Sequence, residues 1–233
     1  LHTRDGERFY FSDLANVRKQ IEDKMSKVQP DQVDAEMRRR LSNHFEPRRR
    51  IAYQDLVVLP TVADMNPSAS KRTCFVLSPD AKDPPATAAT IFENTVFKNT
   101  FCVVSSDGSK MASAEDVVRR ILAITFVQQN VSEDRHHREL AGELSTAERD
   151  FVAEVKGLFN TVWYPTDKGL RSIRLEFEAK SPQGGIDGEA AVERALSGAK
   201  LVPVETDTMT RLMSQAEDRL FGNDKRMRWA DIQ

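Results

Sequence analysis

Two short extended runs open the chain around Asp5-Gly6, where Gly6 can adopt the positive φ of a tight hairpin turn. Only the second run, Arg8-Phe9-Tyr10-Phe11, is complete, and there is no initiator Met, so the chain is expected to be a piece of a longer polypeptide. Apolar residues then step by three or four through Leu14, Val17, Ile21, Met25 and Val28, with Ser12 or Asp13 at the N-cap. After Pro30 the same period resumes in Val33, Met37, Leu41 and Phe45, which predicts an α-hairpin.

Beyond position 50 the pattern changes. Residues 51–59 and 72–77 are β-rich and flank a Pro, Asn and Ser segment over 60–71. A Pro-bearing loop over 79–85 leads to a helix over about 87–98. Thr100-Phe101-Cys102-Val103-Val104-Ser105 then forms a continuous apolar strand of the kind buried on both faces. Ser113 and Asp116 resemble a capping box for a helix bearing Val117, Ile121, Ile124 and Val127.

The longest helical pattern covers 132–162, with Leu140, Leu144, Phe151, Val155, Leu158 and Val162 on one face. Glu133 and Asp134 suit its first turn, while Ser145 and Glu148 offer an alternative start that would break it. Ile173, Leu175 and Phe177 alternate with charged residues as a half-exposed strand, and helices are expected over 190–196 and 209–221. Alternating strand and helix predicts an α/β fold: a mostly parallel sheet flanked by helices, with an N-terminal α-hairpin and one long helix. The expected division is a hairpin strand plus helical appendage over 1–50 and an α/β domain over 51–233.

Composition narrows the class. With 233 residues, 39% hydrophobic and 30% charged, the chain can bury a core without staples and is not a disordered sequence. No apolar run approaches the roughly 20 residues that span a bilayer, which argues against a membrane role. A net charge of -2 leaves no bulk attraction to nucleic acid, so any polyanion contact must be local. Cys74 and Cys102 each lie in an apolar β-like run and are expected to be reduced core thiols of a cytoplasmic protein.

Candidate chemistry is sparse. Neither the phosphate-cradling Gly, four residues, Gly-Lys-Ser/Thr pattern nor the dinucleotide fingerprint is present. Ser106-Asp107-Gly108-Ser109-Lys110 lies between a strand and a helix, where anion loops sit, but one glycine fits an ordinary turn better. Asp80 and Asp107 each follow a strand, where α/β folds keep their sites, and a carboxylate pair there could hold Mg²⁺. Loop starts and helix caps use acids in the same way. Adjacent His136 and His137 point about 100° apart on a helix and cannot share a metal, and His2 and His44 lack ligand spacing.

Two arginine triplets concentrate positive charge: Arg38, Arg39 and Arg40 on the second helix, and Arg48, Arg49 and Arg50 after its end. They are the candidate contacts to nucleic-acid phosphates, or a solvated face balanced by Asp34, Glu36 and Glu46.

The order of these features resembles the large bacterial and archaeal P-loop ATPases catalogued as domain of unknown function 499. The matching stretches are Arg8-Phe9-Tyr10-Phe11, Leu14-Ala15-Asn16-Val17, Ile21-Glu22-Asp23, Val33-Asp34-Ala35-Glu36 and Arg40-Leu41. Later ones are Leu56-Val57-Val58-Leu59, Lys98-Asn99-Thr100-Phe101-Cys102-Val103-Val104 and Phe159-Asn160-Thr161-Val162-Trp163-Tyr164-Pro165. The resemblance implies a place after the ATPase core, the opening hairpin being similar to a winged-helix wing. It also implies a gene setting of anti-phage defence, with methylases and helicases as neighbours, and ATP and Mg²⁺ in the parent protein. With no Walker motif here, no cofactor is carried over to this chain. The leading expectation is a non-catalytic accessory module coupling ATPase motion to DNA or a partner protein. The alternatives are a Mg²⁺-dependent nuclease or phosphoesterase using Asp80 and Asp107, and an oligomerisation element built on the long helix.

Overall fold

The computed structural model describes residues 2–4, 8–10, 13–61, 64–67, 70–78, 84–95, 100–105, 111–131, 134–166, 169–178 and 185–199. At its start β1 (His2–Arg4) pairs antiparallel with β2 (Arg8–Tyr10), Thr3 facing Phe9, as the hairpin pattern predicts. The Asp5-Gly6 turn lies outside the described residues, as does the helix expected over 209–221.

Helices α1 (Asp13–Met25) and α2 (Pro30–Phe45) follow. Pro30 takes the first position of α2, where its missing N–H costs nothing. The helix stops at Phe45 because Glu46 precedes Pro47 and is held extended, at φ -55° and ψ 127°. Val33, Met37, Leu41 and Phe45 are all buried, as their spacing requires.

Strands β3 (Asp55–Val58), β4 (Thr73–Val76), β5 (Phe101–Ser105), β6 (Thr161–Thr166) and β7 (Gly169–Arg174) form one sheet in that order. β3, β4 and β5 are parallel, whereas β6 runs against β5, and β7 returns against β6 through a hairpin. Gly169 at φ 108° supplies a backbone conformation that side chains disfavour. Four of the five strands therefore share a direction, and the fold is α/β with a mixed, mostly parallel sheet.

Side chains alternate across the strands and divide the core in two. Cys74, Val76, Cys102, Val104 and Val162 face α2, α4 (Met111–Asn130), α5 (Asp134–Leu158) and α6 (Gly188–Gly198), with α1 packed into the same core. Phe75, Leu77, Phe101 and Val103 face the other way, against Ala88 and Ile91 of α3 (Pro84–Asn94). Among the described residues no helix is long and apolar enough to cross a membrane.

Several boundaries differ from those predicted. The long helix ends at Leu158 and not at 162, because Asn160 Nδ2 donates to the Gly157 carbonyl and the β-forming Thr161-Val162-Trp163-Tyr164 joins the sheet. Val162 stands four residues after Leu158, so it mimics one more helical turn. α5 runs unbroken past Ser145, and Glu148 serves an ion pair instead of a cap. Ser113 lies inside α4 and its hydroxyl bonds Glu154 Oε1 at 2.8 Å, so it is not an N-cap. Residues 51–54 form no strand, which begins only at Asp55.

Candidate functional site

The arginines of α2 reach two other elements, the end of β3 and α5. Arg38 Nη1 donates to the carbonyls of Val58 and Leu59, at 2.9 and 2.6 Å, where the chain leaves β3, while its Nε bonds Asp34 at 3.0 Å. Arg39 forms a fork with Glu36 at 2.7 and 2.6 Å. Arg40, only 10% exposed, bonds Glu36 at 2.7 Å and grips both oxygens of Glu148 on α5 at 2.5 and 3.0 Å. The planar guanidinium suits such bidentate pairing. Bonding to Arg39, with Arg40 adding its charge, holds the Glu36 carboxyl below its ordinary range despite partial burial.

The second triplet works through its backbone. After Pro47 the chain turns so that the N–H groups of Arg48, Arg49 and Arg50 converge on the carboxylate of Glu189, in the first turn of α6. The bonds are 2.8 Å from Arg48, 3.1 and 2.9 Å from Arg49, and 2.6 Å from Arg50. Arg50 adopts φ 58° to complete the turn, and consecutive N–H groups in such a conformation make an anion-binding concavity. Glu189 is 1% exposed. The Arg49 guanidinium adds an ion pair to Glu193 at 3.1 Å, and Asp187 caps α6 by accepting from the Ala190 N–H at 3.0 Å.

Beneath this joint Tyr53, fully buried, donates its hydroxyl to the Phe45 carbonyl at 2.5 Å, satisfying one of the orphan acceptors at the end of α2. Burial raises the Tyr53 phenol well above its ordinary pKa. Gly188 presses on Phe45 so closely that a Cβ would lie 2.7 Å from Phe45 Cε1 and 2.8 Å from the His44 carbonyl oxygen. His44 stacks on Phe151 with ring centroids 6.0 Å apart and hydrogen-bonds the Ile186 backbone. Its burial lowers the imidazole pKa below the usual value.

Elsewhere the predicted sites are less fully described. β4 and β5 are hydrogen-bonded neighbours in parallel register, so the loops carrying Asp80 and Asp107 leave from adjacent strand ends, but both acids lie outside the described residues. The anion-loop candidate over 106–110 lies outside them too. Ser105, at the end of β5, accepts from Trp163 Nε1 at 3.0 Å. Cys74 and Cys102 face each other in register as free buried thiols, and burial raises the Cys74 pKa. His136 and His137 are partly exposed on α5. Among the described residues no three His, Cys, Asp or Glu side chains converge to hold a metal.

The structure thus gathers all six arginines around one helix and its exit loop. Glu148, Glu189 and His44, which complete that assembly, were not assigned there from the sequence. The Asp187-Gly188 start of α6 is a local cue for a cap, but Glu148 and Glu189 lie more than a hundred residues from their partners. Comparison with protein-family profiles, with characterised proteins and with solved structures found no match to the chain.

Proposed function

We propose that the chain is a non-catalytic accessory module of a large P-loop ATPase of cytoplasmic phage defence, passing the motor's motion to a protein partner. The reading rests on the resemblance of the segments named above and on one structural observation. Helix α2 is braced at once to the end of β3 through Arg38, to α5 through Arg40, and to α6 through the loop at Arg48–Arg50. A helix tied at its middle and at its C-terminal end to separate elements carries a displacement applied to one of them to the others as a rigid strut. ATP and Mg²⁺ belong to the parent's motor in this reading. Methylase or helicase neighbours are the candidate partners.

The arginine bonds also weight the choice of target. Arg39 and Arg40 are already neutralised by Glu36 and Glu148, and an arginine must give up such bonds to meet a phosphate. That favours a protein partner over DNA. The test is a salt titration of DNA binding from 50 to 200 mM with the purified chain, where phosphate contacts would produce a steep loss of affinity. Little binding is expected at any salt, and replacing Arg38, Arg39 and Arg40 by Ala is expected to lower thermal stability. Tight, salt-dependent binding abolished by those substitutions would restore DNA as the target.

The adjacency of the β4 and β5 ends keeps a second reading, a Mg²⁺-dependent nuclease or phosphoesterase using Asp80 and Asp107. Metal-dependent phosphodiester cleavage by the purified chain, lost in both Asp80→Asn and Asp107→Asn, would establish it in place of the non-catalytic module.

A further inference from the structure

We propose that the Arg48–Arg50 turn is an oxyanion-binding site that the chain keeps closed with its own Glu189, so that docking of α6 and capture of a phosphate-type anion exclude one another. Four hydrogen bonds of 2.6–3.1 Å reach the carboxylate from three consecutive backbone N–H groups. Those donors are fixed by the backbone: Pro47 follows the end of α2, and Arg50 holds φ 58°. Such a concavity recognises a small anion by its charge and oxygens, and carboxylate and phosphate both qualify.

The surrounding charge follows the helix. Asp187, Glu189 and Glu193 belong to α6 or its cap, and all three lie within 4.0 Å of Arg49 side-chain nitrogens. When α6 is docked the site is neutralised three times over. When α6 lifts, the three acids leave together and Arg48, Arg49 and Arg50 remain around the open N–H groups. The Arg49 guanidinium, 45% exposed, then loses all three of its acids and stands ready for a tetrahedral oxyanion that needs more donors than a carboxylate, while Arg48 keeps Glu46 at 3.3 Å. The anion selects the undocked state because only that state can bind it.

The decisive variant is Glu189→Ala, which removes an acetate-sized group and leaves the N–H groups unfilled. Inorganic phosphate is titrated against the melting temperature of the full chain at constant ionic strength, with the wild-type chain and Gly142→Ala as controls. The expected result is a rise for Glu189→Ala alone, about 3–6 °C when phosphate reaches ten times its Kd and growing with the logarithm of its concentration beyond that. Adding Glu193→Gln, which removes a like charge beside Arg49, tightens the phosphate Kd. Equal shifts in all chains, or rescue by acetate without any response to phosphate, would overturn the proposal and leave Glu189 as a staple and nothing more.

If Glu189→Ala does not fold, Glu189→Gln keeps the volume while placing an amide against the donors. Hydrogen exchange at the Arg49 and Arg50 amides then reads the same site. Exchange at least tenfold faster than in the wild type, slowed again by phosphate, supports the proposal, and exchange indifferent to phosphate rejects it.

Discussion

Replacing Gly188 by Ala isolates the contact on which α6 is seated. The new Cβ would meet Phe45 Cε1 at 2.7 Å and the His44 carbonyl oxygen at 2.8 Å, with Phe45 Cδ1 closer still. Ordinary contact between carbons begins near 3.5 Å, so something must retreat by about 1 Å. Phe45 cannot, since it is fully buried and met edge-on by Phe159 and Phe177 at centroid distances of 6.2 and 6.3 Å. The His44 oxygen belongs to α2 and cannot either. The helix itself must move, and its shift stretches the Glu189 bonds without breaking them all.

Overpacking costs about 1–3 kcal/mol, and weakening bonds to a charged acceptor adds to it at about 1.5–3 kcal/mol for each bond lost outright. Alanine returns at most about 1 kcal/mol of helix propensity, so the clash wins. A net loss of about 2–3 kcal/mol is expected, read as a lower urea midpoint by far-UV circular dichroism and a melting temperature lower by about 4–12 °C. Gly142→Ala on α5 is the control, because nothing lies within 4 Å of its added Cβ and the same propensity should stabilise the chain. If Gly188→Ala is as stable as Gly142→Ala, the close seating of α6 on Phe45 is wrong.

Two further substitutions follow from the same joint. Arg40→Ala should cost about 1–3 kcal/mol in urea denaturation because it takes from Glu148 its bidentate partner and leaves Glu36 with Arg39 alone, whereas Arg39→Ala, 58% exposed, should cost less than about 1 kcal/mol; equal losses would refute the brace to α5. His44 faces Arg40 and Arg48 as well as Glu148, and burial lowers its pKa from 6.5, so the unfolded chain binds a proton that the folded chain resists. Stability is therefore full above pH 6.5 and falls as pH drops through that value toward the folded pKa, with Glu36 adding a further loss below 4.5. Urea midpoints from pH 8 to 5 should slope accordingly in the wild type and flatten in His44→Gln, and an unchanged slope would remove the assignment.

Period alone located much of the fold. The α2 stripe is buried residue for residue, and the unbroken apolar run at Phe101 to Val104 is covered on both faces because helices pack on each side of the sheet, Cys102 and Val104 joining one core and Phe101 and Val103 the other. The misses have a common cause. Val162 satisfies the α5 period by position while its neighbours favour a strand, and only pairing with Val104 and Ile173 decides between them. The arginine triplets show the same limit. Their nearby acids were legible, and Asp34, Glu36 and Glu46 do pair with them. What converts a charged face into a brace are Glu148 and Glu189, more than a hundred residues away, brought near only by the packing of α5 and α6.

That long-range dependence has a thermodynamic consequence at the α6 joint. A carboxylate buried to 1% exposure is costly unless every oxygen is bonded, and three consecutive N–H groups turned inward are costly unless they find an acceptor. Replacing Glu189 by an apolar residue would relieve the first cost and leave the second, because the donors are backbone and cannot be substituted away. Conversely, relaxing Arg50 from φ 58° to an ordinary conformation would relieve its backbone and leave the carboxylate unsatisfied. The turn and the acid therefore stabilise each other, so α6 should leave the loop after α2 in one step that opens the whole joint as a cooperative unit. Gly188 lies within that unit and Arg40 lies one brace removed from it. The loss in Gly188→Ala should accordingly appear first as fast amide exchange at Arg49 and Arg50, while Arg40→Ala loosens α2 from α5 and leaves those amides protected.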